Sequence, residues 1–279
     1  MANIQKTLSV LLAGGGSGGH VYPLLAVVES LVALASARNV SLELYHFGAI
    51  NEYTTAMKSA GVKTSWIMTG KLRRYFSLSN VLDAPKFLTG LFQVLFKMLF
   101  LMPDVIFSKG GPGALPVVLV GRLYKIPIVI HESDAFPGLT NAVSSRFASR
   151  ILTSFAQTSS YFDPKKTLLV GNPIRRKFLA KGTASGEAKK TLGFDPVKPV
   201  ILVIGGSRGS QRVNEFILSN LIDLLKEFQI FHQTGRANYA EVEKLSKLAL
   251  TQPYTADAPR LNRYQITPYI EENLEVVFA

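Results

Sequence analysis

Three glycine-rich segments have the residue types and spacing of phosphate cradles. Gly14-Gly15-Gly16-Ser17-Gly18-Gly19-His20 satisfies G-x-G-x-x-G through Gly14, Gly16 and Gly19. Glycines there permit a tight turn and close backbone approach, and a helix opening after them offers free N–H groups to a phosphate. Gly205-Gly206-Ser207-Arg208-Gly209-Ser210 repeats the arrangement after a second apolar run. Ser108-Lys109-Gly110-Gly111-Pro112-Gly113 adds a lysine, which either joins backbone N–H groups at a pyrophosphate or stays solvated. A dinucleotide site would need an acidic residue about 20 positions after the first loop, at the end of the second strand. That strand ends Tyr45-His46-Phe47-Gly48, with no carboxylate. A plain strand–helix turn without a ligand is the alternative reading of the first two loops.

Other chemistries are bounded by what the chain lacks. It has no Cys, which excludes disulfides, thiolate metal sites and cysteine nucleophiles. The four histidines, His20, His46, His131 and His232, are far apart in sequence and show no metal-ligand spacing. Hydrophobic residues are 47% and charged residues 18%, which excludes a mainly disordered protein. The net charge of +12 points to a polyanionic partner: nucleic acid, anionic lipid or a phosphorylated substrate. The first residues lack the long apolar stretch and cleavage site of a signal peptide, so a cytoplasmic protein is expected.

Short β-rich runs alternating with helical patterns must position these loops. Leu8–Ala13, Ser41–Phe47, Lys63–Met68, Asp104–Ser108, Pro127–His131, Arg150–Ser154 and Thr167–Val170 read as strands, with helices over Pro23–Ala37 and Glu52–Ala60. After a break near Val170–Phe178 the alternation resumes: strand Pro199–Ile204, helix Gln211–Glu227, strand Gln229–Gln233, helix Tyr239–Leu248, strand Arg263–Thr267. This is the signature of βαβ units and parallel sheets. Two Rossmann-like domains are expected, residues 1–170 and 171–279, the second stopping in mid-pattern. Ligands in such sheets bind beyond the carboxyl ends of the strands. His20, Lys109, His131 with Glu132, and Ser207 all fall at such ends.

At this point the motifs resemble a known family. Gly15–Pro23, Ser108-Lys109-Gly110-Gly111, His131-Glu132, Pro137–Asn141, Gly171–Arg175, Gly205-Gly206-Ser207 and His232–Gly235 occur in the order found in the MurG family. Those enzymes are undecaprenyldiphospho-muramoylpentapeptide β-N-acetylglucosaminyltransferases. The resemblance implies a GT-B fold, two Rossmann-like domains whose sheets face a cleft that holds the active site. It implies inverting transfer of GlcNAc from UDP-GlcNAc to the muramoyl C4 hydroxyl of lipid I, giving lipid II. His20 would be the general base, or else bind the acceptor or cap a helix. Ser17, Gly18 and Gly19 would lie near the donor sugar and acceptor diphosphate. Arg175 and Ser207 would contact the donor diphosphate, and Ile270 would pack against uracil. Lys109, Gly110 and Gly111 would reach the acceptor diphosphate. Asp134 stands where the family often has Asn, keeping an acceptor oxygen but losing the amide donors. No metal or other cofactor is implied, because backbone N–H groups and a helix dipole can hold the diphosphate.

The most apolar stretch, Phe87–Met102, is interrupted by Gln93 and Lys97 and ended by Pro103. It falls short of an uninterrupted span of about 20 residues. Three readings stand: a spanning helix, a buried helix of the fold, or a helix whose outer side meets lipid. Lys71, Arg73, Arg74 and Lys86 upstream suit an anionic leaflet. The resemblance implies peripheral docking on the cytoplasmic face of the cell membrane. Lipid I and the leaflet would then account for much of the charge without nucleic acid. The resemblance also implies further donor-gripping loops beyond Ala279. The second functional reading is therefore a non-catalytic fragment that still binds membrane or acceptor.

Overall fold

The computed structural model describes residues 7–50, 53–70, 78–178, 184–206, 209–251, 262–270 and 274–278. The chain divides into two compact units, Met1–Arg176 and Lys177–Ala279.

In the first unit, seven parallel strands form one sheet. They are β1 (Thr7–Gly14), β2 (Ser41–Gly48), β3 (Lys63–Trp66), β4 (Val105–Gly110), β5 (Ile128–Glu132), β6 (Arg150–Thr153) and β7 (Thr167–Leu169), in spatial order β3-β2-β1-β4-β5-β6-β7. Between them run α1 (Gly18–Ala37), α2 (Thr54–Ser59), α3 (Leu78–Leu101), α4 (Ala114–Leu123), α5 (Leu139–Ser144) and α6 (Ala156–Ser159). β1 shows why its sequence is an unbroken apolar run. Val10 and Leu12 pack with Val21, Leu24 and Val28 of α1, whereas Leu11 and Ala13 join Val94 and Met98 of α3 and Val117 and Val118 of α4. Alternate residues enter two different cores, so every position must be apolar.

Two helices depart from the pattern in the sequence by more than a residue or two at an end. α1 begins at Gly18, not at Pro23, its first turn closed by His20 N and Val21 N donating to the Ser17 carbonyl at 3.1 and 3.2 Å. Glycines are poor helix formers and proline favours a first turn, so the pattern pointed one turn too late. The consequence is chemical, because His20 stands on the first turn of a helix rather than in a loop.

The second difference lies in the second unit. That unit contains α7 (Ser185–Thr191), β8 (Val200–Ile204), α8 (Gln211–Ser219), α9 (Leu221–Glu227), β9 (Gln229–Gln233), α10 (Tyr239–Leu250), β10 (Tyr264–Thr267) and α11 (Leu274–Val277). Its parallel sheet has the order β10-β9-β8. The helix expected over Gln211–Glu227 is broken at Asn220, which leaves helical geometry (φ −111°, ψ 11°). Its side-chain Nδ2 donates to the Phe216 carbonyl at 2.8 Å, an alternative to continuing the ladder. Ile217, Leu221 and Leu225, at helical spacing across the break, all enter the core with Val203, Ile230 and Tyr264.

Candidate functional site

A cavity of about 780 Å³ opens at the carboxyl end of the first sheet, lined by Ser17, Gly19, His20, Lys109, Gly111, Glu132, Ser133, Asp134 and Asn141 among others. Four elements supply these residues: the β1–α1 turn, the end of β4, the end of β5 and the start of α5.

Gly111 seats the histidine. It has φ +82°, and a Cβ placed there would lie 2.8 Å from His20 Cδ2 and 2.9 Å from the Gly15 carbonyl. Only a residue without a side chain lets the two glycine loops and the imidazole meet. The buried Nδ1 of His20 lacks a hydrogen-bond partner among the described residues. Burial, and after it the positive charge of Lys109, hold the imidazole below its ordinary pKa. Hydrogen bonding to the Lys109 backbone and the charges of Asp134 and Glu132 pull the other way without overcoming them. The ring is therefore neutral at neutral pH and free to accept a proton.

Lys109 is 1% exposed, among the largest fully buried side chains of the chain. Its Nζ donates to Ser133 Oγ at 2.8 Å. Burial lowers its pKa, opposed by Glu132 and Asp134 through space. Among the described residues no carboxylate stands within ion-pair distance of it. Glu132 is committed elsewhere. Its Oε1 accepts from the Asp134 backbone at 3.0 Å, and its Oε2 accepts from the Gly138 backbone at 2.9 Å and from Asn141 Nδ2 at 3.0 Å. Asn141 Nδ2 also donates to the His131 carbonyl at 3.1 Å. These bonds fold the 133–138 loop over the end of β5 and leave the ammonium facing the cavity with unspent donors.

Of the residues singled out from sequence, Ser17, Gly19, His20, Lys109, Gly111 and Asp134 come together around this cavity. Gly18 belongs to the same turn, against the Tyr22 ring, and Gly110 ends β4 beside Lys109. Arg175 does not line the cavity. Although expected in the second domain, it lies within the first unit, its Nε 3.8 Å from Glu29 Oε1 and its guanidinium 5.8 Å from the Tyr22 ring centre. Ile270 is buried in the second unit, its backbone N donating to Gln233 Oε1 at 3.1 Å. Ser207 lies outside the described residues, as do Lys71, Arg73 and Arg74. Glu132 and Asn141 belong to the His131-Glu132 and Pro137–Asn141 motifs seen in the sequence but had no role assigned there, and Ser133 was not among the expected site residues. The signal for Ser133 was position, just past the carboxyl end of β5. Among the described residues, no three His, Asp or Glu side chains gather as a metal site.

An open parallel sheet with glycine loops at its carboxyl edge, paired with a second smaller unit built the same way, defines an α/β protein of GT-B type. The chain belongs to glycosyltransferase family 28. Residues 10–153 match the family's N-terminal domain and residues 200–278 its C-terminal domain. A Bacillus cereus protein named UDP-N-acetylglucosamine--N-acetylmuramyl-(pentapeptide) pyrophosphoryl-undecaprenol N-acetylglucosamine transferase 2 is 37% identical over 83% of this chain and 64% of its own length. The Lachnospira eligens transferase of the same description is 40% identical over 81% of this chain and 62% of its own. The chain thus spans a little under two thirds of those relatives. Among solved structures, Acinetobacter baumannii MurG has a TM-score of 0.64 at 23% identity, covering 98% of this chain and 71% of that one. A Methanocaldococcus jannaschii UDP-GlcNAc 2-epimerase has a TM-score of 0.59 at 12% identity, over 98% of this chain and 75% of that one.

Proposed function

We propose that this chain catalyses the inverting transfer of GlcNAc from UDP-GlcNAc to the C4 hydroxyl of the muramoyl sugar of lipid I. The observation that carries the reading is the buried Lys109 ammonium, with donors to spare, beside a neutral imidazole in one cavity. A buried charge without an ion-pair partner is costly unless a ligand completes it, and a diphosphate does so. Lys109, Gly110 and Gly111 hold the acceptor diphosphate, with Ser17, Gly18 and Gly19 completing the cradle at the N-terminus of α1. Asp134 accepts from an acceptor hydroxyl. His20 takes the proton from the C4 hydroxyl as that oxygen bonds to the anomeric carbon. The bond from that carbon to the UDP oxygen breaks, and UDP leaves with the electron pair. Ser207, Arg175 and Ile270 serve the donor in this reading, the second unit being its domain.

The protein docks on the cytoplasmic face of the membrane through α3. By length and composition alone, Gly18–Ala37 and Asp83–Leu101 could each cross a bilayer. Both, however, pack one stripe against the sheet. The other stripe of α3 exposes Leu88, Phe92, Phe96, Leu99 and Phe100, the last at 87%. The two polar interruptions turn inward. Gln93 Oε1 accepts from Met68 N at 2.7 Å and Lys97 Nζ donates to Ser65 Oγ. An outer face so rich in apolar side chains suits the boundary of an anionic leaflet.

The test is transfer of radiolabelled GlcNAc to a lipid I analogue. Turnover that falls about 10²–10⁴-fold in His20→Ala is the expected result. Zero turnover with vesicle binding intact would overturn the proposal.

A further inference from the structure

The second unit buries a titratable ring that the proposed reaction leaves unused. His232, in β9, is fully buried. Its Nδ1 lies 2.9 Å from the Tyr264 hydroxyl and its Nε2 lies 3.0 Å from Asn214 Oδ1. The proton positions follow by elimination. Asn214 Nδ2 donates to the Thr234 carbonyl at 3.0 Å, so the amide presents its oxygen to the ring. An amide oxygen only accepts, hence Nε2 carries the proton, Nδ1 is a lone pair, and the tyrosine hydroxyl donates to it. Burial alone holds the imidazole down at a pKa of about 4, with no charged group contributing, and burial likewise pushes the Tyr264 phenol up.

One partner, Tyr264, opens β10, while the other, Asn214, leads to the carboxyl ends of the three strands. Asn214 stands in the first turn of α8, its backbone N donating to Ser210 at 2.9 Å, just past the second glycine loop. A Cβ on Gly209, which has φ +76°, would run into the Thr234 carbonyl that Asn214 holds. Thr234 N donates to the Thr267 carbonyl at 3.0 Å, after β10. The neighbouring Gln233 accepts from Gly205 N at its carbonyl and from Ile270 N at its side chain.

We propose that His232 is a positioning residue. As a fixed Nε2–H tautomer it holds Asn214, and through it Thr234 and the Gly209 turn packed on the Thr234 carbonyl, beside the Gln233 that anchors Gly205 and Ile270, in the register that receives the donor nucleotide. Only the last clause rests on reading this unit as the UDP-sugar half.

The experiment uses the full chain, nitrogen-labelled for NMR, with UDP as probe. The His232 ring should show a protonated Nε2 and bare Nδ1 and stay neutral through pH 5. Replacing the ring by leucine leaves buried polar groups unpaired, so His232→Leu should bind UDP about tenfold more weakly. Amide exchange at Asn214, Thr234 and Ile270 should quicken in the same variant. In His232→Gln, whose amide can donate to Asn214 and accept from Tyr264, both should return close to wild type. If the leucine variant does not fold, Tyr264→Phe, which removes only the donor to Nδ1, should quicken the same amides. A protonated Nδ1, a ring titrating near pH 6.5, or unchanged exchange in the variants overturns the proposal. A wild-type chain that leaves UDP unbound overturns the donor reading instead, and the ring signals and exchange rates decide the lock on their own.

Discussion

His20 works, on this reading, without an orienting carboxylate hydrogen bond from the described residues. Its environment tunes it through burial first and the Lys109 charge second, both favouring the neutral ring. A base with a lowered pKa keeps working below neutrality, and the rate should fall only as pH drops through a midpoint below 6.5. Lys109→Met removes one of the two lowering causes, so the acid limb of kcat/KM should move to higher pH while acceptor binding weakens. An acid limb that stays in place would show that Lys109 does not act on His20. Loss of the base itself, in His20→Ala, should cost about 10²–10⁴-fold in turnover. Gly111→Ala should cost about as much by a different route. Its methyl would fall 2.8 Å from His20 Cδ2 at a backbone angle that disfavours side chains, so the ring must leave its seat. Normal turnover in that variant would contradict the role given to Gly111.

Among the elements, β1 was legible as an apolar run because it feeds two cores and tolerates no polar interruption, and β5 because Ile128 and Ile130 are buried in one of them. Ile130 in β5 is fully buried, and Ile130→Ala should destabilise the first unit by about 2–5 kcal/mol in denaturant unfolding. Elements whose boundaries depend on one side chain were not legible. The break at Asn220 depends on an amide that finds the Phe216 carbonyl, and the early start of α1 depends on glycines that no propensity favours. Lys109 was left open between a phosphate and water for a similar reason. Whether a lysine is buried depends on what folds over it, here the 133–138 loop gathered by Glu132, some 25 residues downstream in the sequence. In α3 the run was visible but its orientation was not, since Gln93 and Lys97 looked like interruptions and prove to be anchors. This orientation is testable. Phe96→Ser and Phe100→Ser change exposed positions, so the unfolding midpoint should hold while binding to anionic vesicles falls several-fold. Gln93→Leu should do the reverse, freeing Met68 N and lowering stability with vesicle binding kept. Equal vesicle binding by all three would remove α3 as the docking element.

Across the whole molecule, all four histidines are held below their ordinary pKa, and burial is the largest cause for each. The sign of the consequence is fixed. An unfolded chain binds protons at these rings from about pH 6.5 downwards, while the folded chain resists, so stability is complete above that pH and is lost as pH falls. His232 supplies the best-defined share. Between an ordinary value of 6.5 and about 4 in the fold, its neutral burial is worth about 3 kcal/mol once the pH is below both. The net charge of +12 acts in the same direction, since each added proton raises self-repulsion. The melting temperature should therefore drop steadily from pH 7.5 to pH 5. Because the charge effect acts on every variant alike, the part due to His232 is read as a difference. His232→Gln cannot take up the proton in either state, so its melting temperature should fall less over the same interval. The separation from wild type should open below pH 6.5 and close above it. Parallel curves would mean that the buried ring contributes nothing to the acid sensitivity, and a flat wild-type curve would refute neutral burial of all four.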